Sequence, residues 1–141
     1  MRPQPLVAAT DVEASSRFYQ HVLGCRSDHG GPHYERLVDK NGTLILQLHS
    51  FDVDHHHGPI ANKADRPYGN GVLLWFEVDD FDAAMLRALS LKVPVILERH
   101  RNPPDGNGGP DHWEFWFRDP DGYAVVIVSP DGTASLPAGK K

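Results

Sequence analysis

Arg118-Asp119-Pro120-Asp121-Gly122-Tyr123 is the stretch on which the reading of this chain turns. The aromatic run His112 to Phe117 leads into it, and the apolar run Ala124 to Val128 leads out. Asp-Gly supplies the positive backbone dihedrals of a tight hairpin, and Pro120 presets the corner before it. The two runs are therefore expected as antiparallel neighbours. Upstream, Asp39-Lys40-Asn41-Gly42 followed by Thr43 to Leu48 repeats the pattern. Two such hairpins, each closing a similar block of chain, predict a duplicated unit.

Working outward, Leu6 to Ala9 reads as a short strand, with Asp11 as the cap of a helix over Val12 to Leu23. Ala14, Phe18 and Val22 recur at helical spacing there, and Gly24 supplies the stop. His33 to Asp39 and Thr43 to His49 follow as strands, with Leu44, Leu46 and Leu48 facing a helix and Ile45, Gln47 and His49 facing away. The second unit reopens with the strand Val72 to Val78, the caps Asp79-Asp80, and a helix Phe81 to Leu91 whose Ala84, Ala88 and Leu91 form a stripe. Val93 to Glu98 is a further strand, and the Pro/Gly-rich segment Asn102 to Asp111 reads as a lid or hairpin loop rather than a phosphate cradle. In His112 to Arg118, alternation sends Trp113, Phe115 and Phe117 under a helix and His112, Glu114 and Trp116 to the opposite face. Val125 and Ile127 then oppose Ala124, Val126 and Val128.

The expected fold is α+β: two βαβββ modules forming an open, cup-shaped mixed sheet with the helices on its convex face. Residues 1–130 make one domain, with module one over about 4–50, a linking loop at 51–70 and module two over about 71–130. The Pro-, Gly- and Ser-rich residues 131–141 read as a flexible tail.

Composition fits this picture. A chain of 141 residues with 40% hydrophobic and 23% charged residues buries roughly 70% of its unfolded surface as one domain. A net charge of −5 with scattered basic residues argues against nucleic acid or an anionic membrane as a partner. The single Cys25 forms no internal disulfide and has no base beside it in sequence, so an inert thiol is expected. No apolar run reaches membrane-spanning length and Met1 to Pro5 lacks a signal-peptide core, which makes the cytoplasm the expected location.

Asp11-Val12-Glu13-Ala14-Ser15 leading to Phe18-Tyr19-Gln20-His21-Val22-Leu23-Gly24, together with Arg118 to Tyr123, resembles the vicinal-oxygen-chelate superfamily of glyoxalase I, bleomycin-resistance proteins and extradiol dioxygenases. The resemblance spans about residues 4 to 130. It implies metal-ligand positions that fall on Gln4, Gln47, Leu73 and Val126. Apolar side chains cannot donate a lone pair, and two neutral amides are weak ligands by themselves. The usual metal centre is therefore expected to be missing, and no cofactor is predicted. The resemblance then tilts toward metal-free binding members such as the bleomycin-resistance proteins.

Alternation places Gln47, His49, Leu73, Trp75, Glu77, His112, Glu114, Trp116 and Val126 on the concave wall. Tryptophan beside carboxylate and imidazole suits a small, partly aromatic or cationic ligand, with Gln47, His49, Trp75, Glu77, His112, Glu114 and Trp116 as its contacts. His112 and Glu114 are also the catalytic candidates: desolvation beside Trp116 would raise the Glu114 pKa and suit it to acid–base work. The competing reading pairs Glu114 with Arg99, Arg101 or Arg118. His100 lies near but has no assigned place.

His55-His56-His57 with Asp52 and Asp54 invites a zinc reading, but consecutive residues rarely converge on one ion, and a solvated loop is favoured. The alternative to a binding protein is a lyase or dioxygenase using a relocated divalent metal (Zn, Ni, Fe or Mn) or the His112/Glu114 pair. A homodimer is expected, because open sheets leave edges that need cover.

Overall fold

The computed structural model describes residues 1–53 and 55–135. Two compact units divide the chain, Met1–Tyr68 and Gly69 onward. The first contains β1 (Leu6–Ala9), α1 (Val12–Leu23), β2 (Arg26–Ser27), β3 (Tyr34–Val38) and β4 (Leu44–Ser50). The second contains β5 (Leu73–Glu77), α2 (Phe81–Ser90), β6 (Val95–Asn102), β7 (His112–Arg118) and β8 (Ala124–Val128). Strand order is β1-β4-β3-β2 in one sheet and β5-β8-β7-β6 in the other, the same topology twice. The duplicated α+β reading is what the fold shows. No described helix is long and apolar enough to cross a membrane.

The two turns that announced the duplication are built alike. Asp39 Oδ1 accepts the backbone N–H groups of Asn41 (2.8 Å) and Thr43 (2.9 Å). Asp119 Oδ1 accepts those of Asp121 (2.9 Å) and Tyr123 (3.0 Å). Only Gly42 and Gly122, at φ 82° and 89°, take positive φ there. The expectation that Asp-Gly supplies two positive dihedrals is corrected: each is a longer turn ending on one left-handed glycine, shaped by the aspartate carboxylate.

Both helices start on an aspartate, Asp11 accepting from Ala14 N–H and Asp80 from Ala83 N–H. Gly24 at φ 71° ends α1, whereas Lys92 at φ 55° takes the left-handed position after α2. Helix α1 buries Val12, Phe18, Tyr19 and Val22 on the first sheet. Helix α2 buries Phe81, Ala84 and Ala88, but Leu91 is 44% exposed and outside the expected stripe, because the helix ends at Ser90.

Phe115 and Phe117 are fully buried, their rings stacked at 5.4 Å. Trp113 departs from expectation: it is half-buried and carries the Arg99 guanidinium 4.0 Å above its ring. In β4, Leu46 and Leu48 are buried but Leu44 is not, because the register slips between Leu37 and Val38 and displaces Leu44 from the alternation. The 51–68 loop belongs to the first unit, and the rings of Phe51 and Tyr68 pack at 4.8 Å.

At the other end, the 131–135 segment is tied down rather than frayed. Gly132 N–H donates to Pro110, Ala134 N–H to Asp111, and Arg101 reaches Ser135 Oγ at 2.9 Å. The rest of the expected tail, 136–141, lies outside the described residues. Cys25 is buried and donates to the Tyr19 carbonyl at 3.5 Å; burial pushes its thiol up to about 11, which agrees with an inert role.

Glu35 was not singled out by sequence. At 2% exposure it accepts from Ser16 Oγ (2.8 Å), Ser27 Oγ (2.7 Å) and the N–H groups of His29, Gly30 and Arg36. Burial alone would raise its pKa, but the hydrogen bonds from Ser27, Gly30, Ser16 and Arg36 outweigh that and hold it below the ordinary 4.5.

Two outcomes are expected in denaturant melts. Phe115→Ala should cost about 3–5 kcal/mol and Trp116→Ala clearly less, as emptied and half-exposed aromatic sites do; the reverse order would invert β7. Because the Glu35 pKa is depressed on folding, its stabilisation is full above an unfolded value near 4.5 and is lost as pH falls through the lower folded value. Glu35→Gln should therefore show a flatter acid limb in urea midpoint against pH than the wild type.

Candidate functional site

The register of the second sheet sets its open face. Trp75 lies beside Val126 and Val126 beside Trp116; Glu77 lies beside Val128 and Val128 beside Glu114; Leu73 lies beside Ala124. Cross-strand neighbours share a face, so Leu73, Trp75, Glu77, Glu114, Trp116 and Val126 stand together as expected. The Phe115–Ile127 and Phe117–Val125 pairs take the helix side. The Trp75 and Trp116 rings meet edge-on at 6.2 Å, and Trp75 is 45% exposed.

Glu114 is the polar centre of this face, only 1% exposed. Its Oε1 accepts from Trp116 Nε1 (2.9 Å) and lies 3.1 Å from His100 Nε2. Its Oε2 accepts from Asn102 Nδ2 (2.8 Å) and lies 2.8 Å from His112 Nε2. Burial pushes the carboxyl up, but the donors Asn102, Trp116 and His112 more than offset it, so the pKa is lowered. The expected upward shift is corrected: desolvation is present, and hydrogen bonds to the charged form win.

The arginine partners are also corrected. Arg99 stacks on Trp113, Arg101 Nε donates to Asp111 at 2.7 Å, and Arg118 donates to the Gly122 carbonyl at 2.9 Å.

His100 and Asn102 arrive because β6 is irregular. Its register shifts between Val95 and Leu97 and again between Leu97 and His100, which sets His100 opposite Glu114 and Asn102 opposite His112. Regular alternation could not reveal them. His112 is 5% exposed. With Glu114 ionised, its Nε2 donates, and its Nδ1 lies 3.4 Å from Asp131 Oδ1 without making a hydrogen bond among the described residues. Asp131 fell in the segment assigned to a tail and was missed for that reason.

In the first unit, Gln47 and His49 lie opposite Arg36 and Tyr34, on one face. The Gln47 amide is engaged at both ends: Oε1 accepts from Tyr34 Oη, and Nε2 donates to the Gln4 carbonyl at 3.0 Å. His49 is 4% exposed and Nε2 lies 3.0 Å from His55 Nδ1. The His57 ring is 5.2 Å from that of His49. The 55–57 run therefore does not converge as a block, but its first and third members both reach His49. Asp52 pairs with Lys63 at 3.2 Å instead, and Asp54 lies outside the described residues.

Three comparisons bear on identity. The profile of the Glyoxalase/Bleomycin resistance protein/Dioxygenase superfamily matches residues 3–127. Among solved structures, a lactoylglutathione lyase from Agrobacterium tumefaciens is similar with a TM-score of 0.62 at 20% identity, over 92% of each chain. TioX from Micromonospora sp. ML1 gives 0.65 at 12% identity, over 92% of this chain and 98% of that one. The oxidase ChaP-H2 gives 0.61 at 21%, over 96% and 98%. Among curated proteins nothing matches. At these identities the structural likeness carries the fold, and the profile carries the family. The chain belongs to the Glyoxalase/Bleomycin resistance protein/Dioxygenase superfamily.

Proposed function

We propose that the open face of the second sheet binds a small, partly aromatic or cationic molecule without the superfamily's usual metal centre. The observation that carries this reading is Glu114. A carboxylate held ionised by donors that include the Trp116 N–H, on the same sheet face as Trp75, offers a flat cation both an opposite charge and aromatic rings. Glu77 adds a second carboxylate to the same face, and the one arginine of β7, Arg118, is turned to a backbone carbonyl. Against the usual metal stand the residue types themselves. Leu73 and Val126 have no lone pair to donate, and the Gln47 amide is already occupied by Tyr34 and Gln4.

A second reading, an enzyme of the lyase or dioxygenase kind, rests on His112. Glu114 accepts from Nε2 and orients the ring, and the buried Nδ1 makes no hydrogen bond among the described residues, with Asp131 Oδ1 3.4 Å away. That division of roles makes His112 the base and Glu114 the positioning residue. We also propose a homodimer: β6 stands at the edge of its sheet with Val95 and Leu97 exposed, and Leu86 and Leu89 of α2 are exposed as well.

Tryptophan fluorescence tests the first reading, with proflavine as a planar cation and anilinonaphthalene sulfonate as a planar anion. Proflavine should quench saturably, and Trp116→Ala should weaken it by about 1–2 kcal/mol, roughly tenfold. Equal binding of the two dyes, or no loss in Trp116→Ala and Trp75→Ala, would sink the proposal. Light scattering at micromolar concentration should return twice the 15.7 kDa chain mass; a monomer would remove the dimer.

A further inference from the structure

Three of the first unit's seven histidines, His49, His55 and His57, lie together. One ligand atom from each of His49, His55 and His57 lies within 4.8 Å of the others. None of the three falls on Gln4, Gln47, Leu73 or Val126, so this is not the superfamily's usual metal position. We propose that His49, His55 and His57 bind one divalent transition-metal ion of the zinc class.

The chemistry of the rings supports this before any distance does. His49 Nδ1 lies 2.7 Å from the Ser50 carbonyl and His57 Nδ1 lies 2.7 Å from the Gly58 carbonyl. A carbonyl only accepts, so each Nδ1 carries the proton and each Nε2 presents its lone pair. Backbone carbonyls holding the far nitrogen in this way are the usual outer shell of metal-bound imidazole, and they fix both tautomer and ring direction. The lone pair of His49 Nε2 meets His55 Nδ1 at 3.0 Å, inside the span that two ligands of one ion occupy. Tetrahedral zinc with Zn–N near 2.0–2.1 Å sets its ligand nitrogens about 3.3 Å apart. The widest separation of 4.8 Å must therefore close by about 1.5 Å, a movement the exposed His57 can make.

The backbone explains how neighbours two apart converge. His55 and His56 both take left-handed φ, 46° and 71°. Non-glycine residues rarely adopt this conformation, and it curls the loop so that His55 and His57 return to the same strand residue. His49 is buried at 4% while His55 and His57 are exposed, so the site has a fixed floor and an accessible rim. Three imidazoles leave an exchangeable position on a four-coordinate ion.

The test uses the full chain without an affinity tag, stripped with chelator and titrated first with Co²⁺, whose d–d absorption reports coordination, then with Zn²⁺. Saturation at one equivalent, with Zn²⁺ displacing Co²⁺, is expected. His55→Ala and His57→Ala, both at the exposed rim, should each weaken binding at least about tenfold while circular dichroism stays unchanged. His21→Ala, on the exposed face of α1, should leave binding as it was. No saturable cobalt spectrum, or one that survives both rim variants, would overturn the site. Proflavine binding belongs to the other unit, so its outcome is independent of this one.

Discussion

One aspartate oxygen accepting two backbone N–H groups is the constraint on which each sheet depends. Asp39 and Asp119 each fix the turn between two antiparallel strands; the register runs unbroken from that turn in the second unit and shifts once, between Leu37 and Val38, in the first. With a side-chain period of two, a slip of one residue would turn Phe115 and Phe117 to the open face and put Glu114 and Trp116 in the core. The carboxylate therefore decides which chemistry faces outward, although it is not part of any site.

Because the turns are equivalent, the two units can be compared position by position. Tyr34 stands where Glu114 stands, Arg36 where Trp116 stands, and Gln47 and His49 where Val126 and Val128 stand. The same scaffold thus carries a hydrogen-bonding and imidazole face in one unit and an aromatic, carboxylate-centred face in the other. The topology is shared while the outward residues differ.

What was legible in the sequence was local. Capping aspartates, Asp-x-x-Gly turns and strict alternation gave both helices, the hairpins and the membership of the second sheet's open face. What was not legible depended on irregularity or on distant partners. Shifts in β6 delivered His100 and Asn102 to Glu114, and alternation cannot describe a bulged strand. The direction of the Glu114 pKa shift depends on counting donors, whereas sequence offered only the prospect of burial. Adjacent residues ordinarily diverge, which argues against the histidine run from sequence; two left-handed residues and a buried partner from β4 remove that objection for His55 and His57. Serines at buried positions of α1, Ser15 and Ser16, were the available sign that something polar lay beneath the helix.

That polar residue, Glu35, occupies the position that Phe115 holds in the second unit. Ser16 of α1, which binds it, corresponds by the helix caps to Met85 of α2. A chain containing the same topology twice runs the risk of laying the wrong helix on the wrong sheet while it folds. Here the mistake is penalised: α2 placed on the first sheet would bury an ionised carboxylate against a thioether that cannot donate a proton to it. The Ser16–Glu35 contact thus matches one helix to one sheet at a position where the two halves, alike in topology, differ in chemistry.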